Sequence, residues 1–318
     1  MFVYIICVIL LLLFISRVTC GWCSDKTCLV GKTAIITGGN SGIGYQAALT
    51  LASKGCRVII ADKEDASKSR DTIVRETKNH NVIVKELDLA SFSSVKRFAK
   101  DIIDSEPNLH ILINNAGIGT LGMQHTEDGL QKTMQVNYYG HFLLTHLLLG
   151  LLKKSSPSRI IFTGSITSFW TKLNVADMTP PENLSGIQHR MYSNSKLCMN
   201  IAAKCFAEKL TGSGVTAYSF HPGLVRTGIY WRSILENRSI WVILLTLTTW
   251  IFGKNAEEGA QTIIHLACSD AIENANGGFF SDCRHFVQPI QVYNDELCEK
   301  VWNISKKCVK LGPNEGGI

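Results

Sequence analysis

"TGGNSGIG", residues 37 to 44, decides the fold. It follows a short apolar, β-branched run, "TAIIT" (33 to 37), and opens a segment with helical spacing, 42 to 53. Gly38 permits a tight turn, Gly42 lets a bulky anion approach the backbone, and Gly44 lets the new helix pack closely on the strand. The first amides of that helix point over the loop, with the positive end of the helix dipole behind them. Glycines alone fit an ordinary turn equally well. With a strand before them and a helix after, they read as the cradle for a dinucleotide pyrophosphate.

Outward from this loop the pattern is regular. Strand candidates are 33–37, 57–62, 82–88, 111–117, 159–165, 215–223 and 277–282, and helical stretches lie at 42–53, 64–78, 91–104, 126–153 and 191–211. Strands apolar on both faces and separated by helices imply a parallel sheet covered on both sides. The expected fold is therefore α/β: a single doubly wound, Rossmann-type parallel sheet with helices on both faces, preceded by an N-terminal hydrophobic anchor. Ligands in such folds sit at the carboxyl ends of the strands.

The chemically distinctive residues fall at those ends. Asp62 closes the second strand, where a carboxylate can accept from adenosine ribose hydroxyls and would repel a 2′-phosphate; the adjoining Lys63 could offset that repulsion. Asp88, followed by Leu89, ends the third strand and is placed either for the adenine amino group or, equally, as a carboxylate at the next helix's N-terminus near Ser91. Asn115, Ala116 and Gly117 are small residues where backbone can run against a nucleotide. Ser165 stands at the mouth of the fifth strand, and Pro222 and Gly223 turn the chain after the sixth, with Thr227 in reach of a carboxamide. His221 reads as a structural strand-end histidine rather than a base. With Thr37, Gly38, Asn40, Ser41, Gly42, Ile43 and Gly44, these residues form the expected dinucleotide contact set.

Tyr192 and Lys196, in "MYSNSK" (191 to 196), are one helical turn apart and so share a helix face. Alone, such a pair decorates a solvated helix. After a dinucleotide loop and four convergent strand ends it reads as a phenol acting as acid and base, its pKa lowered by the neighbouring ammonium. Ser165 can then hold the substrate oxygen.

Together, T-G-x-x-x-G-x-G (37–44), N-N-A-G (114–117), the strand-end serine, Y-x-x-x-K (192–196) and P-G (222–223) resemble the short-chain dehydrogenase/reductase family over roughly residues 30 to 285. The resemblance implies hydride transfer with NAD(P), with Tyr192, Lys196, Ser165 and Asn137 as the catalytic set and Tyr192 and Lys196 also touching the cofactor. Asn137, in "QVNYYG", matches the family's helix asparagine that holds a water in a proton relay to the lysine. Finer features look like the microsomal retinol dehydrogenase branch: the apolar amino terminus leading into "C…LVGK", "EEGAQT" (257–262), "FFSDC" (279–283), "VWNIS" (301–305) and the apolar run 240–253. That branch usually carries a neutral residue then arginine after the second strand, which suits NADP. Here Asp62 and Lys63 stand there, and Ser41 is not basic, so charge leans to NAD where subfamily habit favours NADP.

The chain has 318 residues, 46% hydrophobic and 18% charged, with a formal charge of +6 spread along its length. No Lys/Arg run marks a nucleic-acid surface, so nucleic acid is not an expected partner. Eleven cysteines without paired spacing read as free thiols, Cys20, Cys23 and Cys28 included, and no metal site is expected. "FVYIICVILLLLFI" (2 to 15) is short of the about 20 residues that span a bilayer, but reaches that length if extended past Arg17 to Trp22. Charges follow rather than precede it, at Arg17, Lys26 and Lys32, which favours an uncleaved anchor with the domain on the cytosolic side; the resemblance to the microsomal branch implies that the membrane is the endoplasmic reticulum. The alternative is a cleaved signal and a lumenal or secreted domain, where the sequons at Asn183, Asn237 and Asn303 would matter. The expected organisation is an anchor (1–22), a linker (23–30), a catalytic domain (31–290) and a C-terminal extension (291–318). Residues 229–253, apolar and rich in tryptophan, suit a lipophilic substrate or a membrane surface, or else a buried core helix. A retinol-like alcohol or carbonyl compound is the substrate implied. A steroid or xenobiotic carbonyl reductase is the alternative enzyme, and a non-catalytic nucleotide-binding scaffold the alternative of another class. Oligomeric state is not legible.

Overall fold

The computed structural model describes residues 20–119, 123–180, 188–226 and 249–312. The order is β1 (Thr33–Thr37), α1 (Gly42–Ser53), β2 (Arg57–Asp62), α2 (Ser67–Thr77), β3 (Val82–Glu86), α3 (Phe92–Ser105) and β4 (Ile111–Asn114). After a turn at Lys132–Met134 and a π-helical segment at Gln135–Tyr139 come α4 (Gly140–Lys154), β5 (Ser158–Thr163), α5 (Gln188–Lys209), β6 (Val215–His221) and α6 (Ala256–Cys268). The chain closes with β7 (Phe279–Ser281), β8 (Arg284–Phe286) and α7 (Asp295–Cys308).

The strands form one sheet in the order β3-β2-β1-β4-β5-β6-β7-β8. All neighbours are parallel except β8, which returns antiparallel on β7. The chain winds outward from β1 to β3, then crosses back to place β4 on the other side of β1. That reversal creates a crevice at the carboxyl ends of β1 and β4, where doubly wound sheets bind ligands.

Alternation along β1 shows why both faces are apolar. Ala34 and Ile36 join one buried cluster with Ala47, Leu51 and Ile263, under α1 and α6. Ile35 joins the other with Val95, Phe142, Phe206 and Trp302, under α3, α4, α5 and α7. Residues of opposite parity point to opposite faces of a strand, so a strand covered twice is apolar at consecutive positions through its middle, as at Ala34, Ile35 and Ile36.

The structure departs from the sequence expectations at element ends. The helix expected from 126 starts at Lys132, because Gly129 takes φ +77° in a turn and the Gln131 side chain caps the Met134 amide at 2.9 Å. Strand β4 stops at Asn114 rather than 117, because the Asn115 and Ala116 amides turn to the Thr37 hydroxyl at 2.8 and 2.9 Å. Residues beyond 290, expected as an extension, send Val301 and Trp302 into the main core. Leu29, in the expected linker, is buried in the opposite cluster. No helix among the described residues is long and apolar enough to cross a membrane. The apolar run 2–15 and most of 229–253 lie outside them.

Candidate active site

The glycine loop is built as its composition requires. Gly38 has φ +67°, and a Cβ there would stand 2.9 Å from the Ala116 Cα. A Cβ on Gly44 would collide with the Gly38 carbonyl and lie 2.6 Å from Asn115 Nδ2. These two positions leave no room for a side chain, so loop, α1 and the end of β4 close on one another. Asn115 fastens the closure by donating to the Thr37 carbonyl at 2.9 Å. Ser41 stands at the N-cap of α1, is exposed, and its side chain caps no amide of the helix's first turn. Backbone donors at a helix N-terminus beside a side-chain-free loop are the chemistry that a pyrophosphate requires.

Asp62 flanks the loop. Its carboxylate accepts from the Asn40 amide at 3.3 Å and the Glu64 amide at 3.2 Å. Lys63 is turned to Glu64 at 3.5 Å and exposed. Asn40 holds the other side of the loop through its contacts with Ser69, at 3.0 Å to its carbonyl and 2.7 Å to its side chain. Asp88 accepts from the Ala90 amide at 2.8 Å, and Ser91 supplies the N-cap of α3. The local turn thus employs one Asp88 oxygen. Leu89 is buried against Gly140.

Across the crevice, α5 carries Tyr192, half-buried, and Lys196, 3% exposed. The lysine ammonium donates to the Thr163 carbonyl at 2.9 Å and lies 5.8 Å from the centre of the Tyr192 ring. Burial lowers its pKa to about 8. Gly117 faces it, a Cβ there standing 3.5 Å from the ammonium and 3.3 Å from Asn137 Oδ1. Ser165 is buried at the end of β5, its hydroxyl accepting from Thr167 N at 3.3 Å and Thr167 Oγ1 at 3.1 Å.

Asn137 sits in the π-helical segment, fully buried. Segments of this kind recur at functional sites. Its amide clamps the backbone of Ile118, accepting from N at 2.8 Å and donating to O at 3.0 Å. It also donates to Ser195 Oγ at 3.1 Å, and Ser195 donates to the Tyr192 carbonyl at 2.7 Å.

His221 accepts from the Ile166 amide at 3.2 Å through Nδ1. Burial and the Lys254 charge push its pKa down to about 4, so it is a neutral brace behind Ser165. Pro222 and Gly223 follow, with Gly223 at φ +89° against the Lys254 stem. Thr227 lies outside the described residues. Three supporting groups were not among the expected site residues: His141, Thr163 and the Lys254–Asp282 pair at 2.6 Å, whose aspartate also accepts from Gly21 N at 3.0 Å. Among the described residues no cluster of His, Cys, Asp or Glu can hold a metal ion, and Cys23 and Cys28 are free thiols.

A dinucleotide cradle, a strand-end serine and a buried lysine one turn from a tyrosine, all on one edge of a doubly wound sheet, define an NAD(P)-dependent oxidoreductase. The chain belongs to the short chain dehydrogenase family, whose profile matches residues 32–237. Its relatives include Retinol dehydrogenase 12 of Bos taurus, 38% identical over 296 residues, covering 92% of this chain and 90% of that protein. Retinol dehydrogenase 14 of Mus musculus is 37% identical, covering 90% of this chain and 88% of that one. A solved structure of an uncharacterized protein from Mycobacterium paratuberculosis matches with a TM-score of 0.72 at 25% identity, covering 94% of this chain and all of that one. The Pseudomonas aeruginosa RhlG/NADP complex shares the fold, with a TM-score of 0.61 at 23% identity, covering 81% of this chain and 97% of that one.

Proposed function

We propose that this chain interconverts a lipophilic, retinol-like alcohol and its carbonyl compound, with Tyr192 as the proton-transfer group. The observation that carries the reading is the buried Lys196 ammonium, held by Thr163 beside the Tyr192 ring. A bound nicotinamide dinucleotide supplies the hydride acceptor or donor. A free phenol has a pKa near 10 and is a weak base at neutral pH. A cation one helical turn away in a low-dielectric site favours the phenolate and lowers that value. In the oxidative direction Tyr192 takes the alcohol proton while the carbinol carbon gives up hydride; in reduction it returns the proton. Ser165 hydrogen-bonds the substrate oxygen and stabilises charge developing there. Asn137 holds Ile118 and Ser195 in register and stands beside Lys196 for the proton relay.

The lean to NAD rests on Asp62. Its carboxylate borders the loop on two backbone amides, while the Lys63 charge is drawn to Glu64, leaving negative charge where a 2′-phosphate would sit. The lipophilic substrate is supported by the retinol dehydrogenases among the relatives and by the apolar sequence at 240–253. Membrane attachment, with the domain on the cytosolic face of the endoplasmic reticulum, is supported by the run at 2–15, by free cysteines and by exposed Trp22, Trp250 and Ile251. A cofactor-by-substrate activity matrix on membranes expressing wild type and Tyr192→Phe tests the reading. It requires wild-type turnover of all-trans-retinol or retinal and at least about a 100-fold lower kcat in the variant.

A further inference from the structure

His141 is fully buried one turn after Asn137, and its ring reaches in two directions. Nε2 lies 2.9 Å from Thr37 Oγ1, and Nδ1 lies 3.1 Å from the Asn137 carbonyl. Chemistry fixes the protons. The Thr37 hydroxyl already accepts from the Asn115 and Ala116 amides, which fill its two lone pairs. Its single proton goes to Nε2 in preference to the Ile113 carbonyl at 3.3 Å. Nε2 is therefore bare and Nδ1 carries the ring proton, which it donates to the Asn137 carbonyl. Burial pushes the imidazole pKa down to about 3, keeping it in this neutral form.

The result is a one-way series of hydrogen bonds. Thr37 donates to His141, His141 to Asn137, Asn137 to Ser195 and Ser195 to the Tyr192 carbonyl. It joins the dinucleotide loop to the helix that carries the phenol and the ammonium. We propose that His141 is a positioning residue for hydride transfer, holding the Asn137 carbonyl through Nδ1–H and so setting the Tyr192 segment against the glycine loop. This rests on the site reading above.

Two substitutions separate the halves of the ring. In His141→Asn the side-chain amide occupies the place of Nδ1 and can still donate to Asn137, but cannot reach Thr37. In His141→Gln the amide reaches toward Thr37 but no donor faces the Asn137 carbonyl. Both variants are made in the full chain, with melting temperature, kcat and dinucleotide KM measured for each, and with Asn137→Ala alone and combined with His141→Gln. The Gln variant is expected to lose roughly 10- to 100-fold in kcat and the Asn variant about tenfold less, at similar melting temperatures. The double variant should fall no further than Asn137→Ala. Equal kcat for Asn and Gln, or losses that multiply in the double variant, would overturn the proposal and leave His141 a core residue. Tyr192→Phe serves as the control: if it keeps full turnover the site reading itself fails, whereas an inactive Tyr192→Phe beside unaffected His141 variants removes only this inference.

Discussion

The Lys196 ammonium stands 5.8 Å from the centre of the Tyr192 ring, and both are carried on α5. The lysine is fixed from outside its helix, by the Thr163 carbonyl at the end of β5. The helix thus supplies the pairing and the sheet supplies the position.

A buried charge held for chemistry is held at the expense of stability. The native pKa of about 8 lies below the unfolded value near 10.4. Between those values the unfolded chain binds a proton that the native state lacks, so stability rises with pH across that window. Below pH 8 both states are protonated and the full penalty stands, about 3 kcal/mol at ~1.4 kcal/mol per pH unit. Lys196→Met removes the penalty but takes a donor from the Thr163 carbonyl, a loss of about 1 kcal/mol. The variant is expected to be about 2 kcal/mol more stable than wild type at pH 7, with the gap closing toward pH 10, and to lose turnover. Urea midpoints at the two pH values check this; a variant less stable at pH 7 would contradict it.

Cofactor choice is assigned to charge at the end of β2. Asp62→Asn removes the charge while keeping the side-chain shape and one acceptor oxygen, enough for either the Asn40 or the Glu64 amide. The ratio of kcat/KM for NADP to that for NAD is expected to rise about tenfold or more. A ratio unchanged within twofold would show that Asp62 does not face the 2′ position.

His221 is assigned as a brace rather than a base. His221→Phe leaves the Ile166 amide without its acceptor, next to Ser165. An approximately tenfold fall in kcat is expected, with the pH profile unchanged between pH 5 and 9, because the wild-type imidazole is already neutral there. A lost or shifted limb in that range would instead identify His221 as a titrating participant.

The C-terminal helix belongs to the core. Trp302 is 2% exposed, with Phe206 at 4.9 Å and Phe142 at 5.0 Å between ring centres. Trp302→Ala is expected to cost about 3–5 kcal/mol in chemical denaturation. A cost below ~1 kcal/mol would mean that the stretch after 290 folds as a separable extension.

What was legible in the sequence follows from how local each signal is. β1, β2 and α1 came out at their observed bounds, because a doubly covered strand and a glycine-led helix start are written in consecutive residues. β8 was not legible: Arg284, His285 and Phe286 are all exposed, so no burial pattern marks them. α7 carries a signal that could have found it, an Asn294 cap, Asp295 and Glu296 in the first turn, then Cys298, Val301, Trp302 and Ser305 on one face. At the site, Tyr192, Lys196, Ser165 and the glycines announced themselves by type and spacing. His141 did not, because in "GHFLLTH" it resembles His146, another buried helix histidine, whose Nδ1 bonds only the Phe142 carbonyl one turn back. Its second partner, Thr37, is 104 residues away in sequence.

The most direct test compares wild type and Tyr192→Phe, purified in detergent or as membranes, with saturating dinucleotide and all-trans-retinol or retinal. Removing one hydroxyl from a half-buried ring leaves packing and the glycine loop in place. The expected result is a loss of kcat of at least about 100-fold with dinucleotide affinity unchanged within roughly threefold. Turnover equal to wild type would contradict proton transfer at Tyr192, and with it the proposed mechanism.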